Sequence, residues 1–139
     1  MRALPFLLMI LVLSVAAAQA QPAERSVQAS FCELMPTEAA RESRTGFTAI
    51  FRFRMVTAET PSAASRMRGD QLSTDDVSRC IRTWKFTNFS AGDLFLASFR
   101  WDHQTGWTEL RLSSRGYEAI HRPRRDSGTS QNPSQKKDQ

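Results

Sequence analysis

The 139-residue sequence has few side chains that bind metals or carry redox chemistry. It contains two cysteines, Cys32 and Cys80, and two histidines, His103 and His121, and it has no CxxC pair. A structural zinc site or a thiol oxidoreductase would need a closer set of these residues. Phosphate-binding glycine-rich loops and nucleophile motifs such as G-x-S-x-G are also missing. We therefore predict that the protein uses no cofactor and binds no metal.

Long apolar runs are missing after the first twenty residues. Arg2 precedes an apolar stretch over 4–18, and Ala18-Gln19-Ala20 has the small-x-small pattern of a signal-peptidase site. The apolar stretch is shorter than the roughly 20 residues of a bilayer span. We expect a cleaved signal peptide over 1–20, a periplasmic or secreted protein, and no stable membrane span after cleavage. A retained membrane anchor is the alternative.

The C-terminal end lacks apolar residues after Ile120 and reads RPRRDSGTSQNPSQKKDQ from position 122. Such a segment cannot bury enough surface to offset the entropy lost on ordering, so 122–139 is predicted to be a disordered basic tail. Residues 114–139 carry six Lys/Arg and three Asp/Glu, whereas 21–113 carry twelve and eleven. The folded part is therefore nearly neutral, and nucleic acid is not expected as its partner.

The two cysteines are predicted to form a disulfide bond. Export would place Cys32 and Cys80 in an oxidising compartment, where an even cysteine count usually means pairing. The bond would close a loop of about 49 residues, which the chain-entropy description rates at roughly 4 kcal/mol of stability. Cys80 is therefore expected to be structural rather than reactive.

The region after Pro36 predicts a short helix followed by a strand. Pro36 favours a first helical turn and Gly46 a stop, which places the helix at about 37–43. The next segment, FTAIFRFRMV, alternates apolar and polar residues with a period of two, so it predicts a strand with one apolar face. The segment 57–71 is rich in small and polar residues and predicts a loop, with at most a weak short strand.

The segment STDDVSRCIRTWKF predicts an amphipathic helix. Ser73 and Asp76 have capping-box spacing, with Asp in place of the usual Glu. One apolar stripe runs along the helix at positions i, i+3, i+4 and i+7, comprising Val77, Cys80, Ile81 and Trp84. Three basic residues lie off this stripe, so they are expected to face solvent rather than nucleic acid.

Two further alternating runs predict a β-hairpin over 94–112. The polar segment DHQTG joins them. The alternation of the second run predicts that Leu110 and Leu112 face away from Trp107, Glu109 and Arg111. The second run is expected to come last in the fold and to lie at a sheet edge. We therefore predict a candidate partner-binding edge comprising Trp107, Thr108, Glu109, Leu110, Arg111 and Leu112.

The order of these elements resembles the C-terminal periplasmic domain of TonB-type proteins. The resemblance rests on Pro36, Gly46 ten residues later, and the pattern V-x-x-C-I-x-x-W-K-F over 77–86. It implies an α+β domain over 36–121, preceded by an N-terminal segment, 21–35. In that domain, a small antiparallel sheet of about three strands would pack against one main amphipathic helix, beside a short N-terminal helix. It also implies contact through a sheet edge that accepts a partner strand.

Three functions are compatible with the sequence. The first is a non-catalytic exported interaction module that captures a protein partner of the cell envelope at a sheet edge. The second is a small secreted hydrolase using the Asp102, His103 and Glu109 cluster around the hairpin turn. The third is a polyanion binder that acts through the basic tail. We predict the first, because a histidine in a turn is usually an exposed polar residue without catalytic work.

Overall fold

The structure, a computed structural model, describes residues 24–124. The predicted signal peptide and most of the predicted tail, 125–139, lie outside the described residues. The described elements are β1 (Ser26–Gln28), α1 (Glu38–Glu42), β2 (Phe47–Arg54), β3 (Ser65–Arg68), α2 (Thr74–Arg82), β4 (Lys85–Thr87), β5 (Leu94–Asp102), β6 (Gly106–Ser114) and β7 (Tyr117–His121).

The architecture is mostly β, so the predicted α+β fold is wrong. Five antiparallel strands form one sheet in the order β3-β2-β5-β6-β7, and β1 pairs with β4 in a second sheet. The prediction of about three strands on one main helix omitted β1, β4 and β7. These strands have only three to five residues each. So few residues cannot establish a period of two. Pairing between distant segments fixes β1 and β4, whereas β7 pairs with its chain neighbour β6 across a two-residue turn.

The predicted helix, strand and hairpin of the central region are confirmed. Helix α1 begins after Thr37, whose side chain accepts a hydrogen bond from the Ala40 N–H at 3.3 Å. Strand β2 pairs along its whole length with β5. The alternating apolar side chains of β2, β5 and β6 form one buried face, comprising Ala49, Phe51, Phe53, Phe95, Ala97, Phe99, Leu110 and Leu112. A long alternating run can bury the whole of one strand face, which is why the longest alternating runs form the central strands of the sheet.

Helix α2 covers the core face through the predicted apolar stripe. Ser73 caps the helix by accepting a hydrogen bond from the Asp76 N–H at 3.4 Å. Trp84 follows the helix and is 4% exposed. Its ring lies 6.3 Å from the rings of Phe53 and Phe99. The helix therefore lies on one side of the five-stranded sheet.

The N-terminal segment joins the same core, and its disulfide bond is confirmed. Val27, Phe31 and Leu34 are buried among the core side chains. Cys32 is bonded to Cys80 of α2, with their Cα atoms 5.8 Å apart. The N-terminal segment that follows the first strand and the main helix, far apart in sequence, are thereby linked covalently.

Candidate protein-binding face

The second face of the five-stranded sheet has no covering element among residues 24–124. Side chains alternate across a strand, so the residues between the buried positions point away from the core. These side chains are exposed or only partly buried. We call this surface the open face, and it comprises Ser65 and Arg68 of β3, Thr48, Ile50, Arg52 and Arg54 of β2, Leu94, Leu96, Ser98 and Arg100 of β5, Glu109, Arg111 and Ser113 of β6, and Glu118 and Ile120 of β7.

Aliphatic side chains on the open face remain substantially exposed to solvent. Leu94 is 44% exposed, Leu96 is 41% exposed and Ile120 is 42% exposed. Each lies directly across a strand pair from an arginine. The cross-strand pairs are Leu94 with Arg54, Leu96 with Arg52, and Ile120 with Arg111. The surface therefore alternates apolar side chains with guanidinium groups.

The open face concentrates positive charge. Five arginines stand against two glutamates, a formal charge of +5 − 2 = +3. Four of the arginines form no ion pair with any carboxylate of residues 24–124: Arg52, Arg54, Arg68 and Arg100. Many carboxylates lie instead on the helices and loops, including Glu38 and Glu42 of α1 and Asp75 and Asp76 of α2. The fold thus separates charges that nearly cancel along the sequence.

The sequence contained a signal for this charged face that our prediction did not use. Arg52, Arg54 and Arg100 occupy the polar positions of the two alternating runs. Each run alone indicates only an ordinary solvated face. The charges become one surface because β2 pairs with β5, and that pairing was not predicted.

A cleft lies at the end of the open face, near the β5–β6 turn. It has a volume of about 750 Å³, and its walls include Phe47, Trp101, Arg100 and Glu109. The rings of Phe47 and Trp101 stack with centroids 6.3 Å apart. Glu109 forms ion pairs with Arg111 at 3.4 Å and with Arg122 at 3.6 Å. Arg100 lies across from Glu109 in the sheet yet forms no ion pair with it.

The three residues of the predicted hydrolase cluster have separate roles in the fold. Asp102 accepts hydrogen bonds at Oδ1 from the backbone N–H groups of Gln104 at 2.8 Å and Thr105 at 3.3 Å. The bond from Gln104 is the main reason that the pKa of Asp102 lies below its usual value. Glu109 and Asp102 both border the cleft, whereas His103 is exposed in the turn and does not border it. Asp102 therefore caps the turn, and Glu109 belongs to neighbouring ion pairs.

The prediction that the strand 107–112 comes last and forms a sheet edge is wrong. Strand β7 follows it and pairs with β6 from Leu110 to Ser114. Leu110, Arg111 and Leu112 are therefore flanked on both sides, by β5 and β7. Strand β6 extends beyond the end of β7 at Trp107, Thr108 and Glu109. The described edges of the large sheet are β3 and β7.

Trp107 lies on the opposite face from the one predicted. The pairing of β5 with β6 shifts register at one point. Arg100 lies opposite Glu109, but the next residue, Trp101, lies opposite Trp107. Thr108 is the extra residue of a β-bulge. It moves the Trp107 side chain to the side of the sheet opposite to the one that regular alternation predicts. The Trp107 ring consequently stacks on Phe31 in the core, with centroids 5.2 Å apart.

Within residues 24–124, no group of three or more His, Cys, Asp or Glu side chains could hold a metal ion. Over the same range, no helix is long and apolar enough to cross a membrane.

Comparison with known proteins gives no assignment. No protein-family model, curated protein or solved structure matches this chain. The resemblance to the TonB C-terminal domain therefore stays a prediction.

Proposed function

We propose that the protein is a non-catalytic, exported protein-binding module that contacts its partner through the open face. The observation that carries this proposal is a five-stranded sheet with one uncovered face, on which Leu94, Leu96 and Ile120 are 41–44% exposed beside arginines. Antiparallel sheets often leave one face to solvent, and such a face is normally polar. This face instead carries three exposed aliphatic side chains beside arginines. Arginine is enriched at protein interfaces, whose buried centres are more apolar than the rest of the surface. A partner protein would cover these aliphatic side chains.

Export is supported by two independent features. The Cys32–Cys80 bond is of the kind that persists in oxidising compartments such as the bacterial periplasm or the extracellular space. The sequence over 1–20 has the pattern of a signal peptide with a cleavage site after Ala20. We accordingly propose a periplasmic or secreted location, with an envelope protein as the partner.

The absence of catalysis is supported by the geometry around the β5–β6 turn. The Asp102 carboxylate is engaged by the turn backbone, and Glu109 is engaged by Arg111 and Arg122. A general acid at neutral pH needs a raised pKa, whereas that of Asp102 is lowered. His103 does not border the cleft, so the three residues do not share a concave site.

Contact through the face is favoured over strand capture at an edge. Strand β3 has four residues, all exposed, and a register irregularity interrupts its pairing with β2. Strand β7 has five residues, and Arg115 and Arg122 flank it. Short strands, bulges and flanking charges are the features by which sheets discourage added strands.

Photo-cross-linking in exporting cells tests this proposal. A benzoyl-phenylalanine placed at Leu96 reports on the open face, and the same residue placed at Arg82 reports on the exposed side of α2. We expect a discrete protein adduct from position 96 that position 82 does not produce. Equal adducts at both positions, or none at position 96, would overturn the proposal.

A further inference from the structure

We infer that the partner presents an acidic amphipathic helix, which lies on the open face with its carboxylates over the arginines and its aliphatic side chains over the leucines. This inference rests on the proposed function above and adds the chemistry of the partner surface. It is carried by the arrangement of four residues where the end of β2 pairs with the start of β5, namely Arg52, Arg54, Leu94 and Leu96.

These four residues form a rectangle of two parallel rows. Arg52 and Arg54 are two residues apart on β2, so their Cα atoms are separated by about 7 Å along the strand. Leu96 and Leu94 form the neighbouring row on β5, directly opposite these arginines. Adjacent strands lie about 4.8 Å apart, so an arginine row runs immediately beside a leucine row.

An amphipathic helix matches this rectangle. Side chains at positions i and i+4 of a helix follow one another at about 6 Å along the axis. The pair at i+3 and i+7 forms an adjacent row on the same side of the helix. Carboxylates in the first row and aliphatic residues in the second would therefore lie over the arginine and leucine rows together. Helices packed against a sheet face are also one of the common layer arrangements of proteins.

The charges of the open face favour carboxylates as the complementary groups. Arg52, Arg54, Arg68 and Arg100 form no ion pair with a described carboxylate, so their guanidinium groups can engage carboxylates of a partner. A guanidinium binds a carboxylate through two parallel hydrogen bonds, which adds geometric selectivity. The +3 charge of the face would also accelerate encounter with an acidic surface.

Nucleic acid and lipid match the open face less well. Sheet faces that bind single-stranded nucleic acid present aromatic side chains for stacking, and the open face as defined has none. A membrane surface favours a continuous apolar surface, whereas Leu94 and Leu96 each lie directly opposite an arginine in the sheet. Glu118 forms no ion pair with a basic side chain of residues 24–124, so a basic side chain of a protein partner can pair with it.

Titration of the folded protein with a designed helix tests the inference. The probe is a synthetic helical peptide of about 15 residues with Glu at i and i+4 and Leu at i+3 and i+7, and its control has Gln in place of each Glu. We expect the Glu peptide to bind and the Gln peptide to bind at least tenfold more weakly. The affinity for the Glu peptide should also fall when the salt concentration is raised from about 0.02 M to about 0.3 M.

Matched protein variants locate the binding. Arg52→Gln/Arg54→Gln removes two charges from the open face and should weaken peptide binding about tenfold or more. Arg44→Gln/Arg82→Gln removes two exposed charges elsewhere and should leave the affinity unchanged. Equal weakening by both double variants would overturn the inference, because attraction would then depend on total charge alone.

Two further outcomes separate this inference from the proposed function. Tighter arginine-dependent binding of phosphatidylglycerol vesicles or of single-stranded DNA than of the Glu peptide would overturn the acidic-helix inference. The Glu and Gln peptides could also bind equally well, with both interactions abolished by Leu94→Ser/Leu96→Ser. That result would overturn the acidic-helix inference but would leave the open face as the contact surface. Failure of the cross-link at Leu96 would instead remove the proposed function itself.

Discussion

The indole Nε1 of Trp84 donates a hydrogen bond of 2.9 Å to the backbone carbonyl oxygen of Ser30. Two residues after Ser30, Cys32 is bonded to Cys80, which lies one helical turn before Trp84. The N-terminal segment is thus attached twice near the C-terminal end of α2, once covalently and once by a partly buried hydrogen bond. These attachments help hold α2 and the first strand on the core side, leaving the opposite side of the sheet uncovered.

Replacement of Trp84 tests the first of these attachments. Trp84→Ala should lower the free energy of unfolding by about 3–5 kcal/mol, because it removes a buried ring and leaves the Ser30 carbonyl without its donor. Arg82→Ala, an exposed neighbour off the apolar stripe, should change it by no more than about 0.5 kcal/mol. Urea unfolding of both variants measures the difference, and equal small losses would contradict the buried position of Trp84.

Removal of the disulfide tests the second attachment. Cys32→Ala/Cys80→Ala should lower the free energy of unfolding by roughly 4 kcal/mol, because the open chain gains entropy when unfolded. Intact mass of the exported wild-type protein, with and without reductant and alkylation, verifies the bond and the expected start at Gln21. Two free thiols in the folded exported protein would refute the bond in solution.

The position of Trp107 provides a test of the bulge in β6. Trp107→Ala should cost about 2–4 kcal/mol, because its ring stacks on Phe31 and its Nε1 donates to the Leu34 carbonyl at 3.1 Å. Arg111→Ala, on the open face of the same strand, should cost no more than about 0.5 kcal/mol. Similar small costs at both positions in thermal melts would indicate regular alternation without the bulge.

His121 predicts a dependence of stability on pH. Burial lowers its pKa below the ordinary 6.5, and its Nε2 has no hydrogen-bond partner among residues 24–124. The unfolded chain therefore binds a proton at a higher pH than the native protein does. The free energy of unfolding should fall as the pH decreases below about 6.5 towards the native pKa. His121→Gln should reduce this loss, and identical pH profiles for wild type and variant would contradict the prediction.

Long periodic segments made part of the fold predictable. The ten-residue alternation that contains Phe51 and the stripe that contains Ile81 each repeat often enough to identify an element and its buried side. The Cys32–Cys80 bond was predictable because the chain has only these two cysteines and a leader-like start. Local pattern therefore identified β2, α2, the β5–β6 hairpin and the disulfide.

The rest depended on contacts between distant segments. Val27 becomes part of a strand only because it pairs with Phe86, 59 positions later in the sequence. The extra residue at Thr108 has no sequence signature, so the side of Trp107 was assigned incorrectly. The open face likewise needs the pairing that places Arg52 beside Leu96. A single sequence does not encode such pairings in a local pattern.

Methyl and amide NMR can locate the surface that contacts the partner, in a complex with the protein identified by cross-linking at position 96. We expect the methyl signals of Leu94, Leu96 and Ile120 to shift on binding, together with amides of β2 and β5. Amides of α2 should remain unchanged, because that helix covers the opposite side of the sheet. Shifts confined to α2, or to the outer edge of β3 or β7, would contradict the claim that the open face is the contact surface.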